Sequence, residues 1–274
     1  MIPIFTKKEA EQILDADGSV EVSFDLGLSM TKVDIKDGFA VIAGQKIPID
    51  DFKKVKEEFF YVVEDSTLKK VAIFSDETNL YYKLLPTTDW PTITLSSVPM
   101  HRHIHMSPKR DTETKIKEVY PIKGRVLDTC CGLGYTAIMA AKYANEVVTF
   151  ERDENVVGLC RLNPFSQELF TNRKIKLTEG SIFEEISKFK SGSFNRIIHD
   201  PPTFKVAPEL YSDDFYEELY RVMKKGGILY HYAPAPGKTK GKAFYETIIK
   251  HLKSATDFKE IEYHEKSSGI RAVK

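Results

Sequence analysis

This chain of 274 residues has little sulfur and no long apolar run. Its three cysteines, Cys130, Cys131 and Cys160, are too few for a disulfide framework. Two of them are adjacent and no C-x-x-C pair occurs, so no metal is expected. A reducing cytoplasm is the expected location. No apolar run approaches the roughly 20 residues that span a bilayer. The opening MIPIFTKKEAEQIL lacks the apolar core of a signal peptide. No membrane partner is expected. Glutamine is scarce as well: Gln12, Gln45 and Gln167 stand against abundant lysine and glutamate, a composition that leans toward thermophiles.

Neither sign of charge prevails, because 40 basic residues balance 40 acidic ones. The balance is uneven along the chain. Residues 1–90 hold 11 Lys+Arg against 17 Asp+Glu, a net of −6, so the remainder is +6. Residues 101–125 hold 7 basic and 3 acidic side chains besides three histidines. Residues 234–253 hold 5 lysines and 1 glutamate. If the substrate is a nucleic acid, Arg102, Lys109, Arg110, Lys238, Lys240 and Lys242 are its expected phosphate grip. Ordinary solvated lysines are the plain alternative.

The first 88 residues read as a small β-rich domain. Thr6-x-x-Glu9 is a capping-box pattern and Asp17-Gly18 a helix end, which predicts a helix over 7–16. VEVSFDLG, MTKVDIKDG, FAVIAG and KVAIFSD are strand runs broken by turns. Residues 89–112 read as an irregular linker marked by Pro91, Pro99 and Pro108. His101, His103 and His105 alternate, so an extended chain would turn them one way, toward a cleft, a phosphate or, less simply, a metal. Residues 113–274 read as one α/β domain, opening with a helix over 113–119.

That domain is organised around RVLDTCCGLGYTAIMAAKYANEVVTFERD, residues 125–153. Val126 and Leu127 form a short strand ending in Asp128. Gly132 and Gly134 permit a tight turn, an alanine-rich helix follows, and a second strand ends in Glu151. This is a nucleotide-binding βαβ unit. GLGYTA also fits the dinucleotide pattern, with Glu151 where a ribose-binding acid belongs. Asp128 argues for another ligand. A pyrophosphate on the helix N-terminus is anionic, whereas an acid beside the glycines suits a cationic amino-acid tail. S-adenosylmethionine carries such a tail, a sulfonium, and a ribose for Glu151.

Here the chain resembles the class I S-adenosylmethionine-dependent methyltransferases. VLDTCCGLG is similar to their first motif, usually VLDLGCGxG, with Cys130 standing where the first glycine usually is. TFERD is similar to their second, with Glu151 as the ribose acid and Arg152 beside it. MSPKRDT resembles the segment before the first motif in a largely archaeal group, which implies that Ser107, Lys109 and Thr112 lie near cofactor or substrate. The resemblance covers about residues 107–274. It implies a Rossmann-like seven-stranded core, with FKEIEYHEK and GIRAVK as its closing hairpin. It also implies that Ser181 takes the place of the acid that usually accepts from the adenine amino group, and that Ile182 packs on the adenine.

His199-Asp200-Pro201-Pro202-Thr203-Phe204 follows the fourth strand and resembles the D/N/S-P-P-Y/F/W motif of methyltransferases acting on planar amino groups. An exocyclic base amine is a poor nucleophile because its lone pair is delocalised into the ring. Asp200 can accept one N–H and a carbonyl of the Pro201-Pro202 turn the other, which favours a tetrahedral nitrogen. Two prolines hold that carbonyl with little entropy to lose, and Phe204 can stack on the base. The motif's aromatic residue stands one position late here, with Thr203 in its place. Cytosine carbon-5 chemistry needs a cysteine nucleophile, which the placement of Cys130, Cys131 and Cys160 disfavours.

Three functions are consistent with these residues. The first is methylation of an exocyclic amine of an RNA base: resemblance leans to cytidine N4 in ribosomal RNA, with adenine N6 and guanine N2 open. The second is a small-molecule methyl- or aminopropyltransferase like the polyamine synthases, which usually carry a GGG-D-G turn that CCGLG lacks. The third is a non-catalytic RNA-binding subunit.

Overall fold

The computed structural model describes residues 2–234 and 244–274. The expected phosphate ligands Lys238, Lys240 and Lys242 lie outside the described residues. The chain divides into two units: residues 1–108 together with 158–167, and residues 109–157 together with 168–274.

The first unit holds three small antiparallel sheets. Ser19–Val22, Thr31–Lys36, Phe39–Ile42 and Gln45–Pro48 make one, in chain order. Its central hairpin pairs Lys36 with Phe39 across Asp37-Gly38, both at positive φ, the two-residue turn whose twist matches that of the strands. Helix Lys7–Leu14 forms as its capping box predicts: Glu9 accepts from the Thr6 backbone N–H at 2.9 Å. Phe5 sits at the centre of this unit's core, edge-on to Phe24 at 5.8 Å and tilted against Phe52 at 5.9 Å. The strands run on past the expected boundary at Thr88. Thr92–Leu95 pairs with Leu80–Leu85, and Val98–Pro99 pairs with Thr92–Leu95. Pro91 and Pro99 flank these pairings at positions where no ladder N–H is needed. The three histidines do not converge. His101 Nδ1 lies 3.0 Å from Thr92 Oγ1, and His103 Nδ1 lies 3.4 Å from the His101 carbonyl.

The second unit is a seven-stranded sheet. Its strands are β1 (Arg125–Asp128), β2 (Glu146–Glu151), β3 (Ile175–Glu179), β4 (Phe194–His199), β5 (Met223–Tyr232), β6 (Lys259–His264) and β7 (Gly269–Val273). They lie in the order β3-β2-β1-β4-β5-β7-β6. All neighbours are parallel except β7, which is antiparallel to both β5 and β6. The closing hairpin is therefore formed as expected. The strand order reverses between β1 and β4. At such a point the loops leave in opposite directions and open a crevice beyond the carboxyl ends of the strands.

Five helices matter below: α1 (Pro108–Glu118), α2 (Tyr135–Ala141), α3 (Glu154–Leu162), α4 (Asp213–Val222) and α5 (Phe244–Ala255). Helix α1 begins five residues before the expected 113, at Pro108, a residue suited to a first helical position. Its far end is fixed to the sheet. Buried Arg196 of β4 donates to the Val119 carbonyl at 2.8 Å and the Pro121 carbonyl at 2.6 Å. His264 of β6 bonds Glu118 at 2.5 Å. Helix α4 starts where Ser212 accepts from the Phe215 N–H, and it buries Phe215, Tyr216, Leu219 and Val222 on one face.

The turn between β1 and α2 depends on Gly134. It has φ +79°, and a Cβ there would lie 2.3 Å from Leu169 Cδ1. Gly134→Ala is expected to cost about 2–4 kcal/mol, the sum of a left-handed residue and an overpacked contact. Chemical denaturation of wild type and variant checks this; an unchanged midpoint refutes it.

Candidate active site

Strand β1 delivers Asp128 beneath the glycine turn with no surface exposed. Its Oδ2 accepts from Thr136 of α2 and Thr149 of β2, both at 3.1 Å, and its Oδ1 has no partner. Burial pushes this carboxyl up to about 8, against the pull of the two hydroxyls. Asp128 therefore lies wholly beneath the turn, out of reach of contact from the surface. Glu151 ends β2 and turns back to the same loop. Its Oε2 accepts from the Gly132 N–H at 2.9 Å, and its Oε1 from the Asp153 N–H at 3.0 Å. Burial pushes it up to about 7. The Cys131 N–H donates to the Phe150 carbonyl at 2.7 Å, binding the turn to β2. Burial, then the Glu151 charge, drive the Cys130 thiol well above its usual range, so it is no nucleophile.

The other expected cofactor residues diverge. Ser181 follows β3, half-buried, as N-cap of the one-turn helix Ile182–Glu185. Ile182 is 3% exposed in the core with Leu127, Phe150 and Phe194, so it underlies the site and presents no face to an adenine. The exposed neighbour is Phe183, tilted against Phe215 at 6.0 Å. Arg152 turns to the loop after the Pro-Pro turn, donating to Glu209 Oε1 and the Val206 carbonyl, both at 3.1 Å.

Strand β4 delivers His199 and Asp200. His199 is buried, and Nε2 must carry its proton, because it meets the Leu210 carbonyl at 3.0 Å. Nδ1 then accepts from Thr129 Oγ1 at 2.7 Å. Burial and neighbouring His231 hold it well below the usual histidine range, so it is a neutral strut between the glycine turn and the Pro-Pro loop. His231 is likewise neutral, pushed down to about 4 by burial, with Nδ1 donating to the Tyr232 carbonyl.

At Pro201-Pro202 the second carbonyl is already engaged: the Tyr211 hydroxyl donates to Pro202 O at 2.8 Å. Phe204 is 51% exposed and meets Tyr211 edge-on at 5.7 Å and Phe244 of α5 at 6.5 Å. Tyr211 and Phe244 are 5.6 Å apart, which completes an aromatic cluster. Thr203 is exposed, and its carbonyl accepts from the Val206 N–H at 2.8 Å.

Sequence reasoning missed the residue that Asp200 binds. Lys115 of α1 places Nζ 2.6 Å from Asp200 Oδ2 and 3.0 Å from Asp111 Oδ2. The lysine side chain is 2% exposed, that of Asp111 0% and that of Asp200 21%. Nζ also lies 5.0 Å from the centre of the Tyr232 ring. Burial alone would lower the ammonium's pKa, but the carboxylates of Asp200 and Asp111 override it and hold it above its ordinary value. The i,i+4 spacing of Asp111 and Lys115 was a usable signal, but such pairs usually lie on solvated helix faces. Of the expected substrate residues, Thr112 is buried, Lys109 is exposed and Ser107 is half-buried in the first unit. Among the described residues no cluster of His, Cys, Asp or Glu could hold a metal ion, and no helix is long and apolar enough to cross a membrane.

The chain is 38% identical to the uncharacterized protein MJ1233 of Methanocaldococcus jannaschii over 279 residues, covering 98% of this chain and 94% of that one. The chain belongs to the same family as MJ1233. Residues 126–227 match the model of a methyltransferase domain. The protein is thus a class I S-adenosylmethionine-dependent methyltransferase, and S-adenosylmethionine is its cofactor. Its fold is similar to that of spermidine synthase from Thermotoga maritima, with TM-score 0.56 and 15% identity over 73% of this chain and 70% of that one. It is also similar to MnmC2 from Aquifex aeolicus, with TM-score 0.50 and 17% identity over 70% of each chain.

The residues suit that cofactor. The methyltransferase buries an unpartnered acid oxygen on Asp128 and a second acid, Glu151, at the rim of the turn. Both charged forms are penalised by burial, so a ligand bearing an ammonium and a sulfonium relieves them. Glu151→Ala is expected to weaken S-adenosylmethionine binding by about 1.5–3 kcal/mol, the scale of a charged hydrogen bond. Calorimetry checks this, and unchanged affinity or tighter binding of NAD overturns the assignment. The sign of the pH dependence follows as well. Both carboxyls are raised without ligand and a cation favours their ionised forms, so affinity should rise with pH through about 7 to 8 and then level. Protons should be released on binding, read as a heat that varies with the buffer; flat affinity from pH 6 to 9 contradicts it.

Proposed function

We propose that the enzyme methylates an exocyclic amine of an RNA base, cytidine N4 of ribosomal RNA foremost, in the cytoplasm. The observation that carries this reading is the end of β4. A carboxylate with its own buried counter-ion, a rigid Pro-Pro turn and an exposed aromatic ring stand together there. Because Tyr211 already occupies the Pro202 carbonyl, the Pro201 carbonyl is the partner we assign to the second amino N–H.

Bound S-adenosylmethionine supplies an electrophilic methyl group on sulfur. The chain's part is to present the amine. Asp200 accepts one N–H and the Pro201 carbonyl the other, turning the nitrogen lone pair out of conjugation. Phe204 stacks on the base, and Tyr211 and Phe244 back it. The nitrogen forms its new bond to carbon as the carbon–sulfur bond breaks, and the amine proton leaves afterwards to water. No covalent enzyme intermediate is needed, which agrees with the protonated Cys130 thiol.

A cationic acceptor such as a polyamine fits less well. Its ammonium would approach a carboxylate whose Oδ2 is already 2.6 Å from Lys115 Nζ. A neutral, planar amine meets no such repulsion.

Asp200→Ala should spare cofactor binding and lower kcat about 10²–10³-fold, the usual loss on removing one preorganised polar contact. Asp200→Asn should keep part of the rate, because its amide oxygen still accepts the N–H. Phe204→Ala should act mainly on placement of the base. Labelled cofactor with total RNA, polyamines or protein as acceptors checks this, and mass spectrometry of nucleosides identifies the product. Wild-type rates from folded, cofactor-loaded Asp200→Ala, or transfer to polyamines alone, refute it. If Arg102, Lys109 and Arg110 hold phosphates, RNA affinity should fall steeply with salt, each charge removal lowering the slope by about one unit. Salt-independent affinity would remove them from the interface.

A further inference from the structure

Asp200 is not a lone acid at the end of a strand. It is the outer member of a buried row that runs from Asp111 through Lys115 into the site. Asp111 and Lys115 lie one turn apart on α1, whose far end is held to β4 by Arg196 and to β6 by His264. The lysine side chain is 2% exposed, and its ammonium stands between the two carboxylates. Neither half of this row is a surface ion pair.

We propose that Lys115 is a positioning residue for Asp200: it fixes the carboxylate's rotamer through Oδ2 and keeps it ionised, so that Asp200 meets the acceptor amine as a hydrogen-bond acceptor and never as a neutral acid. Asp111 acts one step further back, fixing the ammonium along the helix. The consequence for the reaction is specific. A protonated Asp200 would donate to the amine nitrogen and tie up the lone pair that must attack. An ionised one can only accept an N–H and leaves that lone pair available. The Tyr232 ring lies under the ammonium, its centre 5.0 Å away, and adds a cation–π attraction on that side. This inference rests on the reading of Asp200 as the amine's partner, but the link between Lys115 and Asp200 can be measured without any substrate.

Among the described residues, groups of several elements act on Asp200 or on its lysine. Lys115 and Asp111 belong to α1, Asp128 to β1, Cys130 to the turn, Tyr211 to the loop after the prolines and Tyr232 to β5. Lys115 is the cation that is in direct contact, 2.6 Å from Oδ2. Its removal should therefore raise the pH at which Asp200 takes up a proton.

The experiment is a carboxyl-carbon NMR titration of the full-length protein labelled at aspartate, with Asp200→Asn to assign the signal. In Lys115→Met, Asp200 should titrate at least one pH unit higher than in wild type. Lys115→Arg, which keeps the cation, should return it most of the way. Lys115→Met leaves Asp111 buried without a counter-ion and could unfold the domain. The double variant Asp111→Asn/Lys115→Met removes both charges and should show the same upward shift. With RNA as acceptor, Lys115→Met should lower kcat about 10²-fold near neutral pH. KM should change little, and the acid limb of kcat should move upward with the carboxyl titration. A merely structural lysine would lower stability and leave both the titration and the acid limb in place. An unshifted Asp200 signal in the folded double variant overturns the proposal. If instead the signal shifts but wild type transfers no methyl group to RNA, the link between Lys115 and Asp200 stands and the RNA reading falls.

Discussion

The arrangement of the site depends on one ammonium buried between two carboxylates. Lys115 Nζ, 2.6 Å from Asp200 and 3.0 Å from Asp111, joins helix α1 to the loop that leaves β4. Taking three charges out of water costs several kcal/mol per ion, and close approach with good geometry is what offsets it. Such a row is weak evidence for stability and stronger evidence for orientation. The ammonium stands within ion-pair distance of both carboxylates in one position, so α1 and the end of β4 are held in a single relation. Arg196 and Glu118 secure the other end of the same helix, which leaves Lys115 little freedom to leave its place.

Around this row the polar groups divide by protonation. Burial holds His199 and His231 neutral and keeps the Cys130 thiol protonated. It also lifts Asp128 to about 8 and Glu151 to about 7. The glycine-turn end thus contains acids poised to release protons to solvent when a cationic ligand binds. At the acceptor end, Asp200 already has its cation. The two ends of the row of strand termini therefore treat charge differently: the acids at the glycine turn lack a cation, and Asp200 has one.

Much of the fold was legible along the chain. Short apolar runs ending in Asp128, Glu151 and His199, alternating with helical stretches, described a parallel sheet, and the hairpin that closes it was readable from its alternation. The glycine turn and the Pro-Pro turn were visible because local backbone chemistry marks them. The N-terminal boundary was misplaced, because the prolines taken as a linker flank strands that pair with Leu80–Leu85. Pairing is a property of two segments, and no local pattern reports it.

By itself, then, the sequence determined the elements and the turns, and through them the glycine turn and the Pro-Pro turn at the carboxyl ends of the parallel strands. These features follow from residues near one another in the chain. Only the tertiary structure decided which residues share the chemistry. It turned Arg152 toward Glu209, sank Ile182 into the core, gave the Pro202 carbonyl to Tyr211, and brought Lys115 to Asp200 across 85 residues. A lysine four residues after an aspartate reads as a solvated pair in sequence. It becomes a buried ammonium between two carboxylates only when packing removes the water and supplies the second one, and that is fixed by how α1 docks on the sheet.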